Sequence, residues 1–392
     1  MSGALSWPFL RLYILVLLYF SANSLLNVLI PLKGESLGAT NTTIGLIMGA
    51  YMFTTMFFRP WAGHIIQRHE PIKVLRIILI VNGLALLLYT ITGLGGYLVA
   101  RMLQGVSTAF FSMALQVGII DALPEEDRSQ GISLYSLFSY IPGIIGPLLA
   151  LSIWQGGMEY FPIMMISIAI FTGVVGYSAK IDKAKTEKII ENPDHGVKTF
   201  SSFGQLVKNP YLLKCSILML VGSIVFGAIT TFIPLYAAQL PSSNAGIFLM
   251  LMAGTVVISR FTLRKKIPSD GKWHSLFMMG NMLLLAIAAL CVGFALNGGP
   301  ILFYIGACLM GIAQALLYPT LTTYLSFVLP HDNRNVLLGL FIAMADLGVS
   351  LGSVIMGPIV DIYSYSFMYM ICAGLGVMMI FFAYDRRKVL VG

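Results

Sequence analysis

Arg101, Gln104, Thr108, Ser112 and Gln116 follow one another at intervals of three, four, four and four residues. On an α-helix that spacing lines them up as one polar stripe, while the remaining faces of the same segment are apolar. An arginine in such a place can grip a carboxylate with two parallel N–H bonds, and the amides and hydroxyls beside it can take the other polar groups of a small amphoteric molecule. It cannot carry a proton, because its guanidinium stays charged at any ordinary pH. The group suited to that task is Asp346, about twelve residues into the apolar segment that contains FIAMADLGVSLG. A carboxyl desolvated at that depth can take up and release a proton near neutrality. Asn23 and Asn27, one helical turn apart, and Gln314, Tyr318 and Thr322, on one helix face, complete the polar candidates. Plainer readings stand beside each. The arginine head can snorkel to a membrane interface, the acid can be held by neighbouring hydroxyls, and an asparagine can simply bond the next helix.

Other chemistries find little support. Cys215, Cys291, Cys308 and Cys372 stand singly, with no CxxC spacing, and His64, His69, His195, His274 and His331 are far apart, so neither a metal site nor a redox site is expected. FLMLMAG, Phe248 to Gly254, reads as flexible packing. There are no paired carboxylates or activated nucleophile for an enzyme, no resident cofactor is expected, and no sizeable extramembrane domain suggests a receptor. The sequence has no GxxxxGK[ST] for ATP, so net movement of a substrate must draw on an ion gradient, with protons as the expected partner.

The elements that hold these residues are membrane helices. Hydrophobic residues make up 58% of the 392 and charged ones only 10%, far below the roughly 25% of a soluble domain. Runs of about 20 apolar residues, enough to cross roughly 30 Å of hydrocarbon, fall near 10–32, 42–66, 73–93, 97–120, 130–154, 160–178, 211–238, 243–262, 274–295, 300–328, 335–356 and 366–384. The prediction is an all-α integral membrane protein with twelve spans, the first too long for a removable signal peptide. The net charge of +8 does not point to nucleic acid, because the basic residues mark orientation. With both termini in the cytoplasm, every Lys and Arg except Lys33, in an outer loop, and Arg101, within a span, lies on the cytoplasmic side or at a cytoplasmic span end. That distribution predicts N-in, C-in topology.

A hydrophilic connector at 179–210 separates six spans, 1–178, from six, 211–392, and the two sets match at a near-constant offset. IleProLeu at 30–32 recurs at 233–235, and Gly45 with Arg59 is echoed by Gly246 with Arg260. PEEDR, Pro124 to Arg128, aligns with PHDNR, Pro330 to Arg334, and the same offset carries Gly105 to Gly311 and Gly146 to Gly352. The chain is a duplicated six-span unit. Across that duplication Arg101 answers to Ala307 and Asp346 to Tyr140, so both charges are unique to one half. A residue that only holds a symmetric fold should tend to occur twice.

Two parallel six-span halves with the substrate held between them describe one large class of transporter, and the sequence resembles the major facilitator superfamily over its whole length. RMLQG, Arg101 to Gly105, resembles the RxxQG motif of drug and metabolite exporters in that family, where the arginine is implicated in proton coupling or substrate binding. SYIPGIIGPLLA resembles their GxxxGPxxGG motif in part. Gly146 and Pro147 fit, but Pro142 stands where the leading glycine belongs and Ala150 and Leu151 replace the final pair. In the stretch from Arg59, Gly63, Arg68 and Lys73 match the family's gating loop between spans 2 and 3, while Gln67 stands where Asp is usual and Glu70 where Gly is. By resemblance, spans 1, 4, 7 and 10 line a central cavity, and a monomer in a bacterial cell membrane is expected. MSGALSWPFLRLYIL, RPWAG, GIIDALPEEDRS, YPTLTTYLSFVLP and LLGLFIAMADLG are most similar to bacterial exporters of staphylopine-type opine metallophores. Those substrates are small amino acid condensates bearing carboxylates, amines and an imidazole. A multidrug efflux pump of the drug:proton antiporter type is the alternative.

Overall fold

The structure, a computed structural model, describes residues 3–69, 71–179, 208–330 and 334–384. Among these residues there are twelve α-helices and one 3-10 turn, Arg264–Lys266. In chain order they are α1 Trp7–Ser36, α2 Asn41–Arg68, α3 Pro71–Ile91, α4 Leu94–Ala122, α5 Glu125–Gly156, α6 Tyr160–Ser178, α7 Pro210–Gln239, α8 Ala245–Thr262, α9 Ser275–Gly293, α10 Ala295–Val328, α11 Arg334–Ile362 and α12 Tyr365–Ala383. Each expected span corresponds to one of them. Most of the connector at 179–210 lies outside the described residues.

Eleven of the helices are long and apolar enough to cross a membrane, and α2 is not among them. The reason is its polar content: Asn41, Thr42, Thr43, Thr54, Thr55, Arg59 and His64 all fall within its 28 residues. Several of these hydroxyls are satisfied inside the protein, as a membrane helix requires. The first helix also runs past the expected end at 32, so Lys33 sits in its last turn and not in a loop.

Local chemistry sets the helix ends. Asn209 accepts from the N–H groups of Tyr211 and Leu212 at 3.0 and 3.1 Å, with Pro210 in the first helical position, and so starts α7. Asn244 begins α8 by accepting from Ile247 N at 3.0 Å, and Ser364 begins α12 by accepting from Phe367 N at 3.2 Å. Within α10, Gly299 adopts φ 72°, a conformation open to glycine, and Pro300 restarts the helix beyond that kink.

The described residues pack as two compact units, one drawn from Met1–Leu29 and Ala50–Thr199, the other from Ile30–Gly49 and Phe200–Gly392. The division crosses chain order at one place, where the tip of the α1–α2 hairpin packs with the second unit. In the first unit, Tyr13, Tyr19, Leu75, Ala109, Phe111, Leu115 and Ile119 share one buried core. In the second, α7 and α11 approach until backbone meets backbone. A Cβ on Gly227 would strike the Val349 carbonyl, and one on Gly348 or Gly352 the carbonyls of Leu220 or Ile224. Small residues permit this close approach, which substitutes for the hydrophobic drive that lipid does not supply.

Candidate functional site

The site is built from α4 outward. Arg101 lies two turns into the helix with its side chain 0% exposed. Its two terminal nitrogens donate to amide oxygens on α1, Nη1 to Asn23 Oδ1 at 2.7 Å and Nη2 to Asn27 Oδ1 at 2.9 Å. The four-residue spacing of the two asparagines is one helical turn, which matches the two arms of the guanidinium fork. Nη1 also reaches Gln104 Oε1 at 3.4 Å, and that oxygen accepts the Tyr89 hydroxyl of α3 at 3.0 Å. The Tyr51 ring of α2 lies with its centroid 5.3 Å from the guanidinium carbon, within cation–π range.

A hydroxyl relay continues down the stripe. Thr108 Oγ1 is 3.0 Å from the Tyr19 hydroxyl and 3.0 Å from the Tyr51 hydroxyl, and Tyr19 stacks on Phe111 at 3.7 Å between centroids. Ser112 turns back to its own helix, donating to Thr108 O at 2.8 Å. Gln116 is exposed, whereas the other four are buried. Its side chain hydrogen-bonds the buried Tyr135 of α5.

Gly105 shows why this geometry exists. A Cβ there would collide with the Tyr51 carbonyl and the Thr54 hydroxyl. In the space left by that missing atom, Thr55 donates to Gly105 O at 3.0 Å and Thr54 to Met102 O at 3.2 Å, sewing α2 to α4. The close approach is what carries the Tyr51 ring over Arg101. Gly146 does similar work on α5. It accepts the side chain of Ser24, whose hydroxyl donates to Pro142 O at 2.7 Å, at the point where Pro147 takes one N–H out of the helix ladder.

The structure therefore brings together Arg101, Gln104, Asn23 and Asn27. Asp346, Gln314 and Tyr318 lie in the other unit. Asp346 is buried on α11, 9% exposed. Tyr318 packs 6.0 Å from the Phe341 ring of α11, and Thr322 donates to Tyr318 O at 2.7 Å. Gly63 has no close neighbour beyond Met113, whereas Arg68 ends α2 and Lys73 opens α3, both exposed. The side chains of Gln67 and Glu70 lie outside the description. Sequence reasoning missed Tyr19, Tyr51 and Tyr89, because a tyrosine in an apolar run carries no mark of which face it turns.

Away from the membrane helices, His274 Nε2 approaches both oxygens of Asp270, at 2.9 and 3.0 Å. That imidazole, with the Lys272 backbone N–H, holds the exposed Asp270 carboxyl below its ordinary range.

The Major Facilitator Superfamily model matches residues 12–277 and 271–390. The chain belongs to this superfamily. It is 56% identical over 391 residues to the Staphylopine export protein of Staphylococcus aureus strain Mu50, covering 99% of this chain and 98% of that one. Among solved superfamily-like folds, a nucleoside transporter superposes with TM-score 0.74 at 15% identity, covering 96% of this chain and 98% of the other. A D-xylose–proton symporter gives TM-score 0.74 at 13% identity, covering 97% of each. These two superpositions show the fold alone; the superfamily match and the 56% identity make the chain a multi-pass membrane transporter.

Proposed function

We propose that this transporter exports a small, multiply charged opine metallophore of the staphylopine type, by alternating access and at the expense of the proton gradient. The observation that carries the reading is the near-full-length 56% identity to a Staphylopine export protein. Support comes from the chemistry around Arg101, whose fork rests on neutral amide oxygens. A carboxylate is the stronger acceptor for a guanidinium, so a substrate carboxylate can displace Asn23 and Asn27, which are half-buried and form the accessible side of the cluster. Gln104 then supplies a further acceptor, and Gln314 and Tyr318 are assigned to the same substrate path.

Asp346 is assigned the proton, since it is a buried carboxyl in a span and has no counterpart in the first half. In this reading the working parts are two six-helix bundles, 1–178 and 211–392, joined by a cytoplasmic connector at 179–210, with both termini inside and the protein active as a monomer. Gly63, Arg68 and Lys73 belong to the cytoplasmic gate; Gly105, Gly146 and Pro147 permit the helix approaches.

The test compares small molecules in the medium of cells with and without the gene under metal starvation. Loss of one metal-binding opine from the medium is the expected result. An unchanged metabolite profile with altered sensitivity to several unrelated drugs would overturn the assignment in favour of multidrug efflux. In proteoliposomes a pH gradient alone should drive uphill movement, and a protonophore should end it.

A further inference from the structure

The first turn of α2 is held by a residue from the far end of the sequence. Asp361, in the last turn of α11, accepts four hydrogen bonds there. Its Oδ1 takes Asn41 N at 2.8 Å and Asn41 Nδ2 at 2.9 Å, and its Oδ2 takes Thr42 N at 2.8 Å and Thr42 Oγ1 at 2.6 Å. Tyr365 completes the group by donating its hydroxyl to Asn41 Oδ1 at 2.7 Å. Two of the four orphan N–H groups of a long helix are thus satisfied by one carboxylate, which also meets the positive end of the helix dipole.

Below this clasp the two helices touch through glycine. A Cβ on Gly45 would strike Ser353 O, one on Gly49 would meet Ser350 O at 2.9 Å, and one on Gly357 would meet Asn41 O at 2.6 Å. A Cβ on Gly49 would also strike Val354 Cγ2, so backbone carbonyls and one valine face these glycines. The helix end survives parting, since Thr40 Oγ1 accepts Thr43 N at 3.2 Å and Thr40 O accepts Ile44 N at 3.0 Å from within its own turn. Thr42 and Asp361 are exposed and Asn41 is half-buried, so water can take over the released N–H groups. The duplicated positions lack the device: Asp361 answers to Gln155, and α8 is capped by its own Asn244. Three turns beyond the clasp, the same unbroken helix carries Tyr51, whose ring covers Arg101.

We propose that Asp361 is a positioning residue for transport, whose carboxylate clasps the first turn of α2 and so sets the balance between a state in which residues 41–49 are held against α11 and one in which they part from it. This rests on the transporter reading but not on the assignment of Arg101. Spin labels at Leu37→Cys and Tyr363→Cys, both exposed sites, placed in the full chain with its four cysteines replaced, report the clasp by their distance distribution. Wild type should favour the short distance. Asp361→Ala should raise the long-distance population about tenfold, roughly 1.4 kcal/mol, and Asp361→Asn, which keeps one acceptor oxygen, by less. Thr42→Val should also open the clasp, and its effect should shrink in the Asp361→Ala background, because the two residues act through one contact. An unchanged distribution in a monodisperse Asp361→Ala protein would overturn the proposal, as would full additivity of the two changes. Since no substrate is present, failure here is distinct from failure of the Arg101 assignment.

Discussion

The α2–α4 contact of the first unit and the α8–α10 contact of the second are built the same way up to a point. A Cβ on Gly105 would strike the carbonyl of Tyr51, and one on Gly311 would lie 2.5 Å from the carbonyl of Met252, with Thr255 beside it where Thr54 stands in the first unit. The glycine and its threonine neighbour occur twice. The chemistry does not, for Arg101 is answered by Ala307 and Tyr51 by Met252. Duplicated residues here serve the approach of two helices, and the residues that break the duplication place a buried cation under an aromatic ring. The Gly105 of the RxxQG motif therefore serves the approach of two helices, whereas the Arg101 of the same motif, which has no counterpart in the second half, is the one we assign to the substrate.

The comparison can be broken from either side. The largest effect is expected from Gly105→Val and Gly311→Val, because the new side chain meets backbone that cannot yield. Each should destabilise by about 1–3 kcal/mol or more, seen as a lower unfolding temperature in detergent, and the two should be alike. If one is silent, the two contacts are not equivalent. On the proposed assignment of the proton to Asp346, Asp346→Asn should abolish uphill accumulation while folding and substrate binding remain. Accumulation at the wild-type level would make Asp346 a packing residue. Thr55→Val, which writes into α2 the valine that α8 already has at 256, removes the bond to Gly105 O and should cost about 1 kcal/mol. The smallest effect belongs to the exposed pair Asp270 and His274. Holding the carboxyl below its ordinary range stabilises the fold above about pH 4 and fades as pH falls further, but in full solvent the pair is screened. Asp270→Asn should leave the unfolding temperature at pH 7 unchanged within error.

Twelve helices were legible in the sequence because crossing hydrocarbon demands long apolar runs, and that demand outweighs the Pro and Gly inside them. Even α2, with its threonines, asparagine and arginines, was legible as an apolar run near 42–66. Arg101 and its amides on α1 were legible too, since polar residues one turn apart in such runs have few other uses. Tyr51 and Tyr89 were not, because periodicity fixes a face of one helix but not the neighbour that face meets. Asp361 escaped for a related reason. An acid at a span end resembles any interfacial charge, and only the fold brings it to Asn41 and Thr42, some 320 residues away in sequence.

On the proposed function, Arg101 grips a substrate carboxylate with its planar fork. Binding of the purified opine to the Arg101→Lys protein in nanodiscs measures it most directly, because lysine keeps the charge and loses the two-armed geometry. With the unfolding temperature held near wild type as the control, affinity should fall at least about tenfold, roughly 1.4 kcal/mol. Wild-type affinity in that variant would rule out the carboxylate grip and return Arg101 to the fold.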